Sequence, residues 1–250
     1  MKIADSTFLV TGANRGLGKA LVEEALQRGA KRIYAGARQP FVHADRRVRS
    51  LMLDITNAAQ IRAAVEEVGN FDTLINNAGI SLQNDLSDRA ALERILAVNL
   101  FGTYDLTQAF LPALARSRGS IVNILSLASL AAVPFDSLYS ISKAAAFSLS
   151  QSLRALSAGQ GVSVHVVLPG PIDTDMARGL DIPKASPESV ARAIFDGMEK
   201  GERCCDSPRK LRNAIRASPL ISTAVPPGPP SSARSTPSSA ISGKRLEPAR

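Results

Sequence analysis

The chain has 250 residues, 45% of them apolar and 21% charged, with two Cys, no Trp and a formal charge of +8. That length suits one α/β domain or two small ones. No apolar run reaches the roughly 18 residues of a membrane span, and the opening Met1-Lys-Ile-Ala-Asp-Ser lacks the apolar core of a secretory signal, so a soluble, cytoplasmic protein with no membrane partner is expected.

Short β-rich apolar runs alternate with segments of helical period up to about residue 202. Strands are predicted over 7–10, 32–35, 48–53, 73–76, 120–125 and 162–168, and helices over 16–28, 57–68, 88–115, 137–157 and 187–200. The strands are continuous apolar runs, such as Val162-Ser-Val-His-Val-Val-Leu, as a parallel sheet covered on both faces requires. This alternation predicts right-handed βαβ units and a single-domain, doubly wound parallel sheet of the Rossmann type. One link is unusual: only residues 39–47, including Pro40, join the second and third strands, so a loop or a vestigial helix is expected there.

Between the first strand and first helix lies Thr11-Gly12-Ala13-Asn14-Arg15-Gly16-Leu17-Gly18. Glycines at these places allow a tight turn, close approach of backbone to a pyrophosphate and close packing of helix on strand, while the helix N-terminus offers donors and positive potential. With a strand before it and a helix after it, the loop predicts dinucleotide binding. In NAD-preferring folds an acid roughly 20 residues on takes the ribose 2′-hydroxyl, whereas Arg accommodates a 2′-phosphate. Arg38 stands twenty residues after Gly18 in Gly36-Ala37-Arg38, where there is no acid, and Arg15 lies within the loop. The pair predicts NADP(H); the alternative is that both are solvated surface arginines.

Further on, Leu53-Asp54-Ile55 and Asn76-Asn77-Ala78-Gly79 close the third and fourth strands, and Pro169-Gly170-Pro171-Ile172-Asp173-Thr174 follows the sixth. Ligands bind at such carboxyl ends in open α/β sheets. On the helix after the fifth strand, Tyr139-Ser140-Ile141-Ser142-Lys143 places Tyr139 and Lys143 four residues apart, on one face. A reducing site needs an acid to protonate the alkoxide, and a Tyr with its ordinary pKa of about 10 is a reluctant donor near neutrality. A cation within ~4–6 Å lowers such a pKa by about 1–3 units, so Lys143 is expected to tune Tyr139 downward. His43 and His165 fit no part of this chemistry and are read as structural. The stretch before residue 203 holds no Cys, which removes thiolate catalysis and most zinc chemistry, and no metal site is expected.

Together these segments, with the glycine spacing G-x-x-x-G-x-G, resemble the short-chain dehydrogenase/reductase family across residues 5 to about 202. The resemblance implies NADP(H)-dependent hydride transfer between nicotinamide and a small-molecule carbonyl or alcohol substrate, in the direction of reduction. It assigns Tyr139 as acid or base, and Lys143 as its partner and a ligand of the nicotinamide ribose. Ser126, thirteen residues before Tyr139, matches the substrate-orienting serine, with Ser129 a rival on the same loop. Asn99 matches the asparagine that holds a water against the lysine and completes a proton relay. Asp54, beside Ile55, would meet the adenine amine; Asn77, Ala78 and Gly79 would line the adenine ribose. Ile172 and Thr174, beside Pro169 and Gly170, would meet the nicotinamide carboxamide. Segment 134–138 and a lid over 176–183 are expected to supply pocket walls through Phe135, Leu138, Met176 and Leu180, which favours an apolar ketone or aldehyde. The long helices would pair subunits into a homodimer or homotetramer.

Composition breaks near Arg203. Residues 203–250 hold nine Lys and Arg against two acids, eight of the 15 Pro, nine Ser and both Cys, so the segment carries +7 of the +8 and the preceding body is nearly neutral. Such a Pro/Ser/Arg-rich tail buries too little apolar surface to offset its ordering entropy, and disorder is expected. It has no aromatic residue on which a base would stack, and no nucleic-acid partner is expected. It stands where family members add a seventh strand, as an out-of-frame translation or as a genuine extension. An alternative frame after codon 202 that encodes an apolar, strand-like segment would identify the former. Two functional classes remain open, an NADPH-dependent carbonyl reductase and a dinucleotide-binding protein without turnover.

Overall fold

Six apolar runs form six parallel strands, β1 (Thr7–Thr11), β2 (Arg32–Ala37), β3 (Val48–Met52), β4 (Thr73–Asn76), β5 (Ser120–Ile124) and β6 (Ser163–Val167), in the order β3-β2-β1-β4-β5-β6. The computed structural model describes residues 2–39, 41–82 and 86–202; the tail from 203 onward lies outside them. Six α-helices accompany the strands among the described residues: α1 (Gly16–Gln27), α2 (Ala58–Val68), α3 (Arg89–Leu96), α4 (Thr103–Ser117), α5 (Ser137–Ser157) and α6 (Pro187–Glu199).

Alternation along each strand divides the core into two layers. Phe8, Val10, Ile33, Ile75 and Val122 pack with α1 and α6, whereas Leu9, Tyr34, Leu74, Ile121 and Val164 pack with α2, α4 and α5. Edge-to-face pairs anchor both layers, Phe8 with Phe195 at 5.8 Å and Phe71 with Phe110 at 5.2 Å between ring centroids. Because β2 and β4 flank β1 on opposite sides, the chain departs in opposite directions from neighbouring strands, and a crevice opens at their carboxyl ends.

The link between β2 and β3 contains no helix among its described residues. His43 Nε2 lies 3.1 Å from Glu23 Oε1, and Arg47 donates to the carbonyls of Leu26 and Ala30 at 3.3 and 3.2 Å, so side chains hold this loop where a crossover helix would have packed. His165 is also structural, its Nδ1 lying 3.1 Å from the Glu202 carbonyl. The segment predicted as one helix over 88–115 is instead α3, a π-helical turn (Ala97–Gly102) and α4. That turn buries Asn99 and brings Gly102 against the 54–55 corner, where a Cβ would lie 2.8 Å from Ile55 Cγ1.

Arg28 ties α1 to α6. It donates to Glu24, Glu199 and Asp196 at 2.7 Å each, and its guanidinium lies 5.8 Å from the Phe195 ring centroid. Arg28→Ala leaves several acids unpaired and exposes the ring. It is expected to cost about 2 kcal/mol, seen in thermal denaturation as a Tm lower by roughly 4–8 °C, with partial recovery in Arg28→Lys.

Candidate active site

The crevice between β1 and β4 is a cleft of about 1170 Å³, and every residue singled out from the sequence as a site residue lines it except Thr11, Asn99 and Leu138. Thr11 works from beneath. Its buried hydroxyl accepts the Asn77 and Ala78 backbone N–H groups at 3.0 Å each, and Asn77 Nδ2 returns a bond of 2.9 Å to the Thr11 carbonyl, splicing the glycine loop to the end of β4. Leu138 is a correction. It is 1% exposed and packs with Ala91, Ile95, Ile80 and Leu82, so it belongs to a small core under α3 rather than to a pocket wall. Consecutive helical residues are about 100° apart, and in the first turn of α5 it is Tyr139 that faces the cleft.

The glycine loop has the shape that a pyrophosphate needs. Gly12 and Gly16 adopt φ of 64° and 51°, and a Cβ on Gly18 would fall 2.0 Å from the Gly12 carbonyl oxygen, which only direct helix-on-loop contact explains. A Cβ on Gly16 would enter the gap facing Thr174, 3.2 Å from its Cγ2. Asn57, Asp88 and Ser186 cap α2, α3 and α6 with their side chains, but Arg15 does not cap α1, whose first turn also contains no acid. The N–H donors and positive end of α1 are therefore not taken up by a capping side chain, and its first residues line the cleft. Arg38 is exposed at the end of β2, and Arg15 reaches Asp175 across the cleft at 3.1 Å. An exposed pair of that kind contributes little and is readily exchanged for a phosphate. Asp54 serves its own turn, accepting from Thr56 N and Oγ1 at 2.9 and 2.7 Å, while lining the cleft.

Deeper in, Tyr139 and Ser126 both line the cleft, near enough for the Ser126 side chain to act on the phenol. Ser126 sits where β5 ends, its hydroxyl accepting from Ala128 N at 3.1 Å. Ser129 lies off the cleft, its buried hydroxyl without a partner among the described residues, so of the two serines it is Ser126 that lines the cleft. Lys143 is buried one turn below, its Nζ 5.5 Å from the Tyr139 ring centroid and donating to the Ile124 carbonyl at 3.0 Å. Burial pushes the Tyr139 phenol up to about 12, with Asp136 adding to the rise and Ser126 opposing it, and pushes Lys143 down to about 8. The downward tuning expected of Lys143 is thus not what this chain alone produces. The ammonium is spent on a backbone carbonyl, and desolvation of the phenol dominates.

Asn99 is buried within the π-helical turn. Its Oδ1 accepts from Ile80 N, and its Nδ2 donates to the Ile80 carbonyl and to Ser142 Oγ, all at 2.9 Å. Both amide hydrogens are engaged, so Asn99 fixes the Ile80 backbone next to Gly79, where a Cβ would lie 3.6 Å from Lys143 Nζ. Sequence reasoning passed over Asp136, Arg94 and Ile182, which also line the cleft. Asp136 carried a signal, a carboxylate three residues before Tyr139, but at a helix start it reads as an ordinary cap.

Comparison with known proteins gives the same picture over most of the chain. The short chain dehydrogenase family model matches residues 6–184. The 3-ketodihydrosphingosine reductase of Bacteroides thetaiotaomicron is 31% identical over 237 residues, covering 88% of this chain and 87% of that protein. The 3-oxoacyl-(acyl-carrier-protein) reductase FabG of Salmonella typhimurium is 36% identical over 192 residues, covering 72% and 79%. A short chain dehydrogenase from Burkholderia cenocepacia, solved in complex with NADP, superposes with a TM-score of 0.79 at 36% identity, covering 87% of this chain and 95% of that one.

Proposed function

The chain belongs to the short chain dehydrogenase family, and from that premise we propose that it is an NADP(H)-dependent oxidoreductase that reduces a ketone or aldehyde. The observation that carries this reading is that Tyr139, Ser126 and Lys143 line one cleft with the glycine loop, the Lys143 Nζ lying 5.5 Å from the Tyr139 ring centroid. The cofactor is NADP(H), as in the Burkholderia cenocepacia structure. The residues present fit it: the uncapped first turn of α1 and the glycine loop for the pyrophosphate, Arg38 and Arg15 for the 2′-phosphate, Asp54 for the adenine, Lys143 for the nicotinamide ribose, and Ile172 and Thr174 for the carboxamide.

NADPH, when bound, supplies the hydride. The protein's own part is to hold the carbonyl oxygen and to give it a proton. Ser126 and Tyr139 are the two hydroxyls that meet at one place in the cleft and can both donate to that oxygen as negative charge develops on it. A phenol held near 12 stays protonated throughout the neutral range, the state that reduction requires of its acid. Once the proton has left, the Lys143 ammonium is the nearby cation that stabilises the phenolate. Asn99, as a positioning residue, fixes the strand-end backbone against which Lys143 lies.

The half-exposed Phe135 and Met176, with Leu180, give the substrate an apolar wall. Exposed Phe101 and Tyr104, by the start of α4, and Ile141 on α5 leave an apolar surface that a homodimer or homotetramer would cover. Every site residue falls within 1–202, so that stretch is the catalytic domain and 203–250 an appended tail. A cytoplasmic location is part of this proposal. No helix among the described residues is long and apolar enough to cross a membrane. A panel of alkyl and aryl ketones, aldehydes and quinones, assayed by NADPH absorbance, tests the reading. NADPH-dependent turnover of at least one carbonyl class is expected; cofactor binding with no turnover on any of them would instead make the chain a binding module.

A further inference from the structure

Between Tyr139 and Lys143, α5 carries a serine that is 0% exposed, Ser142. Its hydroxyl donates to the Tyr139 carbonyl at 2.7 Å and accepts from Asn99 Nδ2 at 2.9 Å. A serine inside a helix commonly bonds the carbonyl three or four residues back, and that bond alone satisfies the hydroxyl and nothing more. The second bond crosses to another element. A hydroxyl has one hydrogen, and here it goes to Tyr139, so toward Asn99 the oxygen is an acceptor. That choice agrees with the rest of the Asn99 amide, whose Oδ1 accepts from Ile80 N and whose other hydrogen goes to the Ile80 carbonyl. An unbroken line of bonds thus runs from the backbone after β4, through Asn99 and Ser142, to the peptide group of Tyr139. In a regular helix that carbonyl is also the acceptor of the Lys143 N–H, so the line ends on the one turn that carries both residues. Two turns on, α5 repeats the device: Ser150, also 0% exposed, donates to the Ala146 carbonyl at 2.7 Å and accepts from Asn123 Nδ2 at 2.8 Å. Neither Ser150 nor Asn123 lines the cleft. The two serines share burial and bonding pattern and differ in what they fasten.

We propose that Ser142 is a positioning residue for the reduction, fastening the turn of α5 that carries Tyr139 and Lys143 to Asn99 and so fixing where both side chains stand. The proposal rests on the reductase reading above and adds to it a residue that does not itself line the cleft. The Asn99 amide and the Lys143 ammonium border the same spot, since a Cβ on Gly79 would lie 3.2 Å from Asn99 Oδ1 and 3.6 Å from Lys143 Nζ. Lys143 is tethered separately, to the Ile124 carbonyl at 3.0 Å, but the Tyr139 peptide depends on Ser142 for its link to the π-helical turn. A turn released from Asn99 moves the phenol relative to the substrate, and a misplacement of about 1 Å at such a site costs on the order of 10²-fold in rate. It also admits water around Lys143, which burial holds down at about 8, and hydration returns that group toward its ordinary range.

The test compares Ser142→Ala with Ser150→Ala, using NADPH and whichever carbonyl compound of the panel above the wild type reduces fastest. A fluorescence titration with NADPH counts folded sites, and thermal denaturation reads stability. Both variants should lose stability to a similar extent, since each leaves one buried Asn N–H without its acceptor. Ser142→Ala should lower kcat per folded site by about tenfold or more, with KM changed much less, and should move the alkaline fall in rate to a pH above about 8. Ser150→Ala should keep the wild-type kcat and pH midpoint. If Ser142→Ala does not fold, Ser142→Cys takes its place; the thiol is a weak donor and acceptor and should give the same changes in smaller measure. Equal losses of kcat in the Ser142 and Ser150 variants, or a Ser142 variant with wild-type kcat and pH midpoint, would reduce Ser142 to a packing serine and leave the reductase reading intact. No turnover by the wild type on any member of the panel would overturn the reductase reading and this proposal with it.

Discussion

Tyr139→Phe is expected to lower kcat for ketone reduction by about 10² to 10⁴ while leaving NADPH affinity nearly unchanged. The substitution removes one oxygen and keeps the ring, so the packing within 5.5 Å of Lys143 survives and only the phenol hydroxyl is lost. Ser126 and the apolar wall still bind the carbonyl compound, so KM should change much less than kcat, the signature of a contact that matters only as charge develops. Steady-state kinetics with a fluorescence titration of NADPH separate the two. The pH profile adds a sign. Lys143, pushed down to about 8, is a cation below that pH and loses its charge as pH rises through it, whereas Tyr139 keeps its proton to about 12. Reduction by the wild type should therefore fall across pH 8 from the loss of the ammonium, not from ionisation of the phenol. A Phe variant within a few-fold of wild-type kcat would remove Tyr139 from the reaction.

Arg38→Asp is expected to reverse the choice of cofactor. Arg38 is exposed at the carboxyl end of β2, where an acid would accept from a ribose 2′-hydroxyl and a cation meets a 2′-phosphate. Losing a charge-assisted contact and gaining a repulsion should lower kcat/KM for NADPH by about 10- to 100-fold. NADH should gain, since its ribose finds an acceptor. Arg15→Ala should have the smaller effect, because Arg15 shares its charge with Asp175, which also pairs with Arg178. The ratio of kcat/KM values for the two cofactors is the readout, and a ratio unmoved by Arg38→Asp would return both arginines to the solvated surface.

Much of the fold was legible because its signals are local. Apolar runs bounded by turns located all six strands, and the proline-bearing link of residues 39–47 announced a missing crossover helix. The glycine loop was legible for a steric reason: a residue such as Gly18, whose absent Cβ would lie 2.0 Å from a carbonyl oxygen, cannot be exchanged freely. What escaped depends on geometry that residue types do not carry. The π turn around Asn99 adds one residue to a helical repeat and leaves no compositional trace, so the bonds from Asn99 to Ile80 could not be foreseen. Leu138 was misplaced because the phase of a helix's first turn depends on where it docks, and α3 takes the leucine. The direction of the Tyr139 shift needed the depth of burial, which outweighs a neighbouring ammonium engaged elsewhere. Asp136 was not singled out because its residue type and position are those of an ordinary N-cap, and only the path of its side chain to Ser81 shows otherwise.

The most direct test of the cleft as a reducing site is to follow isotope from NADPH deuterated at the nicotinamide C4, using acetophenone or its α-hydroxy analogue in ordinary water. The account predicts one deuteron on the carbinol carbon of the product, a solvent proton on its oxygen, and loss of both product and label transfer in Tyr139→Phe. Product formed without the label on carbon, or label transfer of undiminished rate in Tyr139→Phe, would contradict it.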